Sequence, residues 1–221
     1  GFEISTTSLI LVCFLVFLAG FVDASAGGGG IISLPAYIFT GMPAHFALGC
    51  NKFSSSCGTT LAVFKFWRNG AVNLRAAAVA AFGSFIGSTV GAKTALLLSD
   101  QMIKTMLIII LPCAAVIIFL KRDLGETDRS AGMERGRAAL LAFMIGLLIG
   151  GYDGLFGPGT GTFAIMAFSV LMGFDLRTAS GNAKILNLAS NYASLMTFAF
   201  AGTIIYGVAL PAALCGIAGN Y

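Results

Sequence analysis

Two lysines stand at matching places in otherwise apolar halves of the chain. Lys52 ends the run Gly-Cys-Asn-Lys, and Lys184 ends the run Gly-Asn-Ala-Lys. An ammonium group at the centre of a bilayer costs about 2.5 to 3.5 kcal/mol, so each lysine needs a partner or a wet cavity. We predict that the lysines form a positive site for a small anion, which Asn51 and Asn182 bind by hydrogen bonds. Two other interpretations stay open: the lysines snorkel to the interface, and the asparagines cap half-helices.

A glycine-rich run precedes each lysine and begins four positions after an aspartate, Asp23 or Asp153. Glycine lets the backbone approach a ligand closely, and unwound backbone at membrane depth must line a cavity or be buried in protein. The aspartates have three open roles: they take up a coupling proton, orient the lysines by ion pairing, or mark solvated helix ends. The other candidate substrate-binding residues are Gly28, Gly29, Gly30, Gly159, Gly161, Cys50 and Ser54.

Membrane helices must position these motifs. Five apolar stretches approach the ~20 residues that a helical span needs: 9–21, 72–98, 103–120, 138–149 and 204–218. Shorter segments flank the polar motifs in both halves: 31–40, 53–66, 163–172 and 185–201. Short, glycine-interrupted segments at corresponding places in two halves are typical of secondary transporters. We predict an all-α polytopic membrane protein with two related repeats of about four helical segments each, whose helices are broken or re-entrant at the glycine motifs.

A polar stretch separates the repeats. We assign residues 1–120 to the first membrane repeat, 121–137 to a linker and 138–221 to the second repeat. The linker is rich in basic residues, so the positive-inside rule places it in the cytoplasm. The basic turn around Arg68 has an uncharged counterpart at 201–207, which favours inverted repeats. If the repeats match fully, a further helix resembling 103–120 is expected after residue 221.

Composition excludes several classes of function. The chain is 57% hydrophobic and 10% charged, against roughly 25% charged in soluble domains. Its net charge of +4 is spread over loops and span ends, so we exclude nucleic-acid binding. The run at 87–94 imitates a phosphate-binding loop, but the small residues Gly83, Gly87 and Gly91 instead predict helix packing, within one chain or between copies. No catalytic or metal-ligating arrangement is visible, so we expect no enzyme, no cofactor and no metal site.

At these motifs the sequence resembles the sulfite exporter TauE/SafE family, also called the toluene sulfonate uptake permease family. Residues 20–30, 49–52, 152–161 and 182–184 carry the resemblance, and the run Asp-Gly-Leu-Phe-Gly-Pro-Gly-Thr-Gly is similar to that of a subgroup of small bacterial permeases. The resemblance implies a multi-pass protein of the bacterial inner membrane with about eight spans. It also implies transport of sulfite, sulfonates or related sulfur-containing anions. Cys50 stands where the family often has threonine, which removes a hydroxyl ligand there.

We therefore expect a secondary transporter for small anions, above all sulfite- or sulfonate-type anions, coupled to protons. Its expected partners are the anion, the lipid bilayer and, where the glycine stripe faces outward, a second copy in a homo-oligomer. Two alternatives remain at this point: a passive anion channel, and a cation transporter that binds its ion at Asp23 and Asp153.

Overall fold

The computed structural model describes residues 4–68, 72–119, 128–130 and 132–221. These residues form helices and no strand. In chain order the helices are α1 (Thr6–Ala26), α2 (Gly30–Ile38), α3 (Ala44–Arg68), α4 (Leu74–Leu97), α5 (Asp100–Phe119), α6 (Arg135–Leu155), α7 (Thr160–Met172), α8 (Leu176–Phe200) and α9 (Tyr206–Asn220).

Four of these helices, α1, α4, α5 and α6, are long and apolar enough to cross a bilayer. Helices α3 and α8 have 25 residues each but carry the polar motifs. Helices α2, α7 and α9 have 9, 13 and 15 residues, fewer than the ~20 that a span needs. The predicted all-helical membrane-protein class is confirmed.

The distribution of polar and apolar side chains differs from that of a soluble domain. Large apolar side chains such as Phe39, Leu97 and Phe200 lie on the outer surface, where lipid would contact them. The interior instead contains lysine, aspartate, asparagine and hydroxyl side chains beside the apolar core, and Lys52 is among its largest fully buried side chains. Buried charge is rare and needs pairing, so the interior points to a polar site inside the helix bundle.

The two predicted helix breaks are present and they contact each other. Helix α1 ends at Ala26 and is followed by Gly27, whose φ of 77° is left-handed, and α2 begins at Gly30. Helix α7 begins after Gly159, whose φ is 82°. A Cβ on Gly27 would lie 3.0 Å from the carbonyl carbon of Gly161. Because neither backbone leaves room for a side chain, glycine is required where the two breaks touch.

Glycine also allows close packing of α4 on α6. A Cβ on Gly83, Gly87 or Gly91 would collide with a carbonyl oxygen of α6. The phosphate-loop imitation is thus part of a helix, and its small residues pack inside one chain. Helix α9 packs in the corresponding way on α1, where a Cβ on Gly219 would collide with the carbonyl oxygen of Phe17.

The asparagine–lysine motifs lie inside helices and not at helix starts. Helix α3 begins at Ala44, seven positions before Asn51, and α8 begins at Leu176, six positions before Asn182. The side chain that caps α8 is Asp175, which accepts from two backbone amides. The capping interpretation of both asparagines is therefore wrong. The segments predicted at 53–66 and 185–201 are the later parts of these two longer helices.

The division of the chain into repeats remains a prediction. Helices α1 to α5 fall within residues 1–120, and α6 begins at Arg135, inside the segment assigned to the linker. Residues 121–127 and 131 of that segment lie outside the described residues.

Candidate functional site

A polar cavity lies where the two helix breaks meet. Its volume is about 50 Å³, room for a few water-sized groups. Helices α1, α2, α3, α6, α7, α8 and α9 all contribute to its wall, which is mostly glycine, serine, threonine, asparagine and the charged residues of the predicted site. The cavity is thus built from both halves of the chain.

Lys52 and Asp153 form a buried ion pair in this cavity. Lys52 Nζ lies 2.7 Å from Asp153 Oδ2, and the two side chains are 2% and 3% exposed. Lys52 also donates to Asn191 Oδ1 at 3.3 Å. Asp153 accepts two further hydrogen bonds, from the hydroxyls of Thr160 at 2.8 Å and Ser190 at 2.5 Å. Both carboxylate oxygens of Asp153 are therefore occupied.

Lys184 and Asp23 form the second pair. Lys184 Nζ lies 2.7 Å from Asp23 Oδ2 and donates at 2.5 Å to the backbone carbonyl oxygen of Asp23. That carbonyl belongs to the last turn of α1 and also accepts from the amide of Gly27. A cation at a helix C-terminus is favoured by the helix dipole. Lys184 therefore binds both the carboxylate and the end of the broken helix.

The pairing is reciprocal between the halves of the chain. Lys52 of the first motif copy pairs with Asp153 of the second, and Lys184 of the second pairs with Asp23 of the first. Neither lysine reaches the surface, so the snorkelling interpretation is wrong. Burial also contradicts a solvated helix end for Asp153. Of the three roles left open for the aspartates, orienting the lysines by ion pairing is the one seen in the structure.

Asn51 lines the cavity beside Lys52. Its amide oxygen accepts from Ser33 at 2.6 Å, so the amide N–H₂ is the group that it can offer to an anion. Ser54, one turn further along α3, accepts from Tyr37 at 3.0 Å and donates to the backbone oxygen of Asn51. These contacts fix the polar face of α3 toward the cavity.

Asn182 and Cys50 do not line the cavity. Each lies two positions before its lysine, whereas Asn51 lies one position before, and one position turns a helix by about 100°. Asn182 Oδ1 accepts from the backbone amide of Asn73 at 3.0 Å, next to the start of α4. Cys50 Sγ accepts from Ile205 at 3.4 Å, next to the start of α9. Asn182 and Cys50 thus each bind a backbone amide next to the start of a helix, α4 or α9. The amide nitrogen of Asn182 is buried without a hydrogen-bond partner in the described structure.

The structure thus brings together most but not all of the predicted site. The predicted residues that line the cavity are Asp23, Gly29, Gly30, Asn51, Lys52, Ser54, Asp153, Gly159 and Gly161. Lys184 contacts the cavity wall through Asp23, while Gly28, Cys50 and Asn182 are not part of the wall. None of these placements tests substrate binding, which remains a prediction for each residue.

Two hydroxyl residues that hold Asp153 were missed in the sequence. Thr160 begins α7 directly after the second glycine break, and Ser190 lies six positions after Lys184 on α8. The signal that could have found them is comparison of the two motif copies, because the corresponding positions of the first copy hold Gly30 and Gly58. The second copy thus has hydroxyl residues where the first copy has glycines, and this distinguishes the two ion pairs.

Broken helices that meet at a polar, ion-paired cavity inside an apolar helix bundle define a class of protein, the membrane transporters. The family model described as Sulfite exporter TauE/SafE matches residues 12–221. The chain belongs to this family of membrane transporters, as its motifs predicted. No solved structure matches the chain.

Several relatives support the same assignment. A probable membrane transporter protein of Haemophilus influenzae is 37% identical over 201 residues, which cover 90% of this chain and 78% of the relative. The probable membrane transporter protein YfcA of Escherichia coli K12 is 36% identical over 205 residues, or 93% of this chain and 75% of the relative. A probable membrane transporter protein of Sinorhizobium, ORF9, is 36% identical over 88% of this chain and 73% of its own length. The family and these relatives are named as membrane transporters and not as enzymes.

Proposed function

We propose that this protein is a secondary transporter that moves small anions of the sulfite and sulfonate type across the bacterial inner membrane, coupled to protons. The observation that carries the proposal is the pair of reciprocal, buried lysine–aspartate contacts around the cavity where both helix breaks meet. The description of the family as sulfite exporters supports the choice of anion.

The chemistry of the wall suits an oxyanion. Lys52 supplies an ammonium group, Asn51 an amide N–H₂, and the glycine breaks supply backbone that no side chain covers. Oxygen atoms of an anion accept hydrogen bonds from all three kinds of group, and such bonds are stronger when a charge takes part. The volume of about 50 Å³ favours a small anion over a large organic substrate.

The charge of the site favours coupling to a proton. Each lysine is neutralised by an aspartate at 2.7 Å, so an anion that enters the cavity brings an uncompensated buried charge. Such a charge costs several kcal/mol. Protonation of one carboxylate restores neutrality, because the released ammonium then balances the anion. Entry of the anion and uptake of a proton therefore stabilise each other.

The repeats provide a basis for alternating access. Corresponding helices of the two halves are in contact, since α4 packs on α6 and α9 packs on α1, and α3 contacts α8. We propose that residues 1–120 and 138–221 are inverted repeats and that one rocks against the other about the cavity. The ion pairs bridge the two units and must adjust when they move.

Transport by purified protein in liposomes tests the proposal. Radiolabelled sulfite or thiosulfate should accumulate against its gradient when a pH gradient of suitable polarity is imposed, and accumulation should stop when the gradient is collapsed. Anion flux that never rises above equilibrium would instead identify a passive channel. Flux of a metal cation that is independent of the anion would identify a cation transporter and refute the proposal.

A matched pair of variants sharpens the test. Lys52→Met combined with Asp153→Asn removes the ammonium without leaving a buried unpaired charge, so the fold should persist while anion transport is lost. Lys104→Met removes a lysine of an exposed ion pair at the same 2.7 Å distance, and it should transport as the wild type does. Normal transport by the double variant would contradict the role of Lys52.

A further inference from the structure

We infer that the two ion pairs have different tasks: Asp23 takes up the coupling proton and releases Lys184 to the anion, while Asp153 stays ionised and holds Lys52 and the second helix break. This inference rests on the proposed anion transport and names the residue that carries its proton. The contrast between the hydrogen bonds of the two carboxylates carries it.

Asp153 is surrounded by donors. The ammonium of Lys52 and the hydroxyl of Ser190 reach Oδ2, and the hydroxyl of Thr160 reaches Oδ1. Hydrogen bonds to the ionised form of a carboxyl group favour that form. The Thr160 and Ser190 hydroxyls each have a second acceptor within reach, the backbone oxygens of Gly157 and Asn187. A proton on Asp153 therefore requires both hydroxyls to turn, in addition to loss of the Lys52 contact. Protonation of Asp153 would therefore disturb three contacts.

Asp23 has a simpler and wetter environment. In the described part of the chain, the side-chain group that donates to its carboxylate is the ammonium of Lys184. The Asp23 side chain is 16% exposed, against 3% for Asp153, and it lines the cavity. A proton from water in the cavity can reach Asp23 without breaking a hydroxyl network. Loss of one ion-pair contact is then the main cost of protonation.

The residue types at two corresponding positions account for the difference between the two pairs. Thr160 and Gly30 each begin the helix after their break, and Ser190 and Gly58 each lie six positions after their lysine. Glycine has no hydroxyl, so these two positions of the first copy give Asp23 no counterpart of the Thr160 and Ser190 contacts. Each copy contributes an aspartate to a lysine–aspartate pair, but only Asp153 accepts hydrogen bonds from hydroxyls at these two positions.

Protonation of Asp23 leaves Lys184 in a useful position. The carboxylate gains one proton and becomes a neutral acid, so the pair changes from neutral to a single positive charge. Lys184 keeps its contact of 2.5 Å with the Asp23 backbone oxygen, which holds the ammonium at the end of α1. One monovalent anion then restores neutrality, which sets a ratio of one proton to one anion.

Other titratable groups near Asp23 are few. Across the cavity lie Lys52 of α3 and Asp153 of α6, already paired with each other. Lys184 of α8 contacts Asp23 but does not itself line the cavity. From the described parts of α2, α7 and α9 the cavity receives only glycine, serine, threonine and asparagine. The thiols of Cys13 and Cys215 contact each other further along α1 and α9 and do not line the cavity.

Infrared difference spectroscopy of the purified full chain, without added anion, tests which carboxyl group titrates. Lowering the pH from about 8 to about 5 should produce a protonated-carboxyl band, above the background from exposed carboxyl groups, that is lost in Asp23→Asn and kept in Asp153→Asn. A band that survives Asp23→Asn and is lost in Asp153→Asn would overturn the inference. Thr160→Val with Ser190→Ala provides a second variant set: removing the hydroxyls should let Asp153 titrate and add a second band, and an unchanged spectrum would count against the inference.

Binding of methanesulfonate, which stays an anion over this pH range, tests the release of Lys184. The wild-type affinity should rise about tenfold for each unit of pH lowered where one proton binds per anion. Asp23→Asn, which mimics the protonated acid, should bind with an affinity that no longer depends on pH. A pH slope retained in Asp23→Asn refutes the division of tasks even if the anion binds. A wild type that titrates at Asp23 but binds no anion refutes the transport proposal instead.

Discussion

Replacing Lys52 with methionine should destabilise the protein far more than replacing another lysine whose ion pair has the same length. Lys52 and Lys104 each place Nζ 2.7 Å from a carboxylate oxygen. The side chains of the first pair are 2% and 3% exposed, and those of the Lys104–Asp100 pair are 33% and 39% exposed. The pairs differ strongly in burial, and they also differ in that the first joins two helices while the second lies within one.

The expected magnitudes follow from that difference in burial. Lys52→Met leaves the Asp153 carboxylate buried without its counter-ion, which costs about 3 to 5 kcal/mol. Lys104→Met breaks an exposed contact between residues four apart on one helix, worth about 0.3 to 0.5 kcal/mol. Adding Asp153→Asn to Lys52→Met should recover most of the loss, because no buried charge remains and the amide can accept from one of the Thr160 and Ser190 hydroxyls and donate to the other.

Unfolding in mixed detergent micelles, followed by circular dichroism, measures these free energies. The double-mutant cycle of Lys52→Met and Asp153→Asn should show strong coupling, since the two side chains are in contact. Equal losses for Lys52→Met and Lys104→Met, or additive losses in the cycle, would refute the reasoning that a desolvated ion pair holds the two halves together.

Three further predictions concern packing, capping and the asparagines. Gly87→Ala should weaken the contact of α4 with α6 because its Cβ would collide with the Leu147 carbonyl oxygen, whereas Gly207→Ala, with open space around it, should not lower the thermal midpoint. Asp175→Ala should cost about 0.5 to 2 kcal/mol in chemical unfolding through loss of the α8 cap. The Thr178 hydroxyl, followed by backbone amides, holds the pKa of Asp175 below its ordinary 3.8, so this contribution is full above that value and is lost as the pH falls through the lowered pKa. Asn51→Ala should weaken anion binding in a calorimetric titration, whereas Asn182→Ala should lower stability and leave the anion affinity unchanged; the opposite effects on affinity would contradict the placement of their side chains.

The parts of the fold that depend on local chemistry were predictable from the sequence. Glycine at positions 27 and 159 adopts a left-handed conformation that other residues avoid, so the helix breaks could be located from composition alone. The small residues spaced four apart around Gly87 likewise predicted a packing face. In both cases the physical cause lies within a few residues of chain.

The parts that depend on register and long-range pairing were not predictable. Asn51 and Asn182 looked equivalent because both stand near a lysine, but a shift of one position on a helix turns one toward the cavity and the other toward α4. The start of α3 was also misplaced, because apolar patterning fades where Lys52 and its polar neighbours face the interior. Which aspartate pairs with which lysine requires the contact between the halves, and no pattern within one copy contains it.

The reciprocal pairing has a consequence for how the chain is made. Asp23 and Lys184 are 161 residues apart, and a ribosome adds roughly 5 to 20 residues per second. Asp23 is therefore synthesised about 8 to 32 seconds before Lys184, its counter-ion. During that time the Asp23 carboxylate must be neutralised by a proton or hydrated by water in the insertion machinery. The charge of Asp23 is thus balanced within the protein only after the second half, with Lys184, has been inserted.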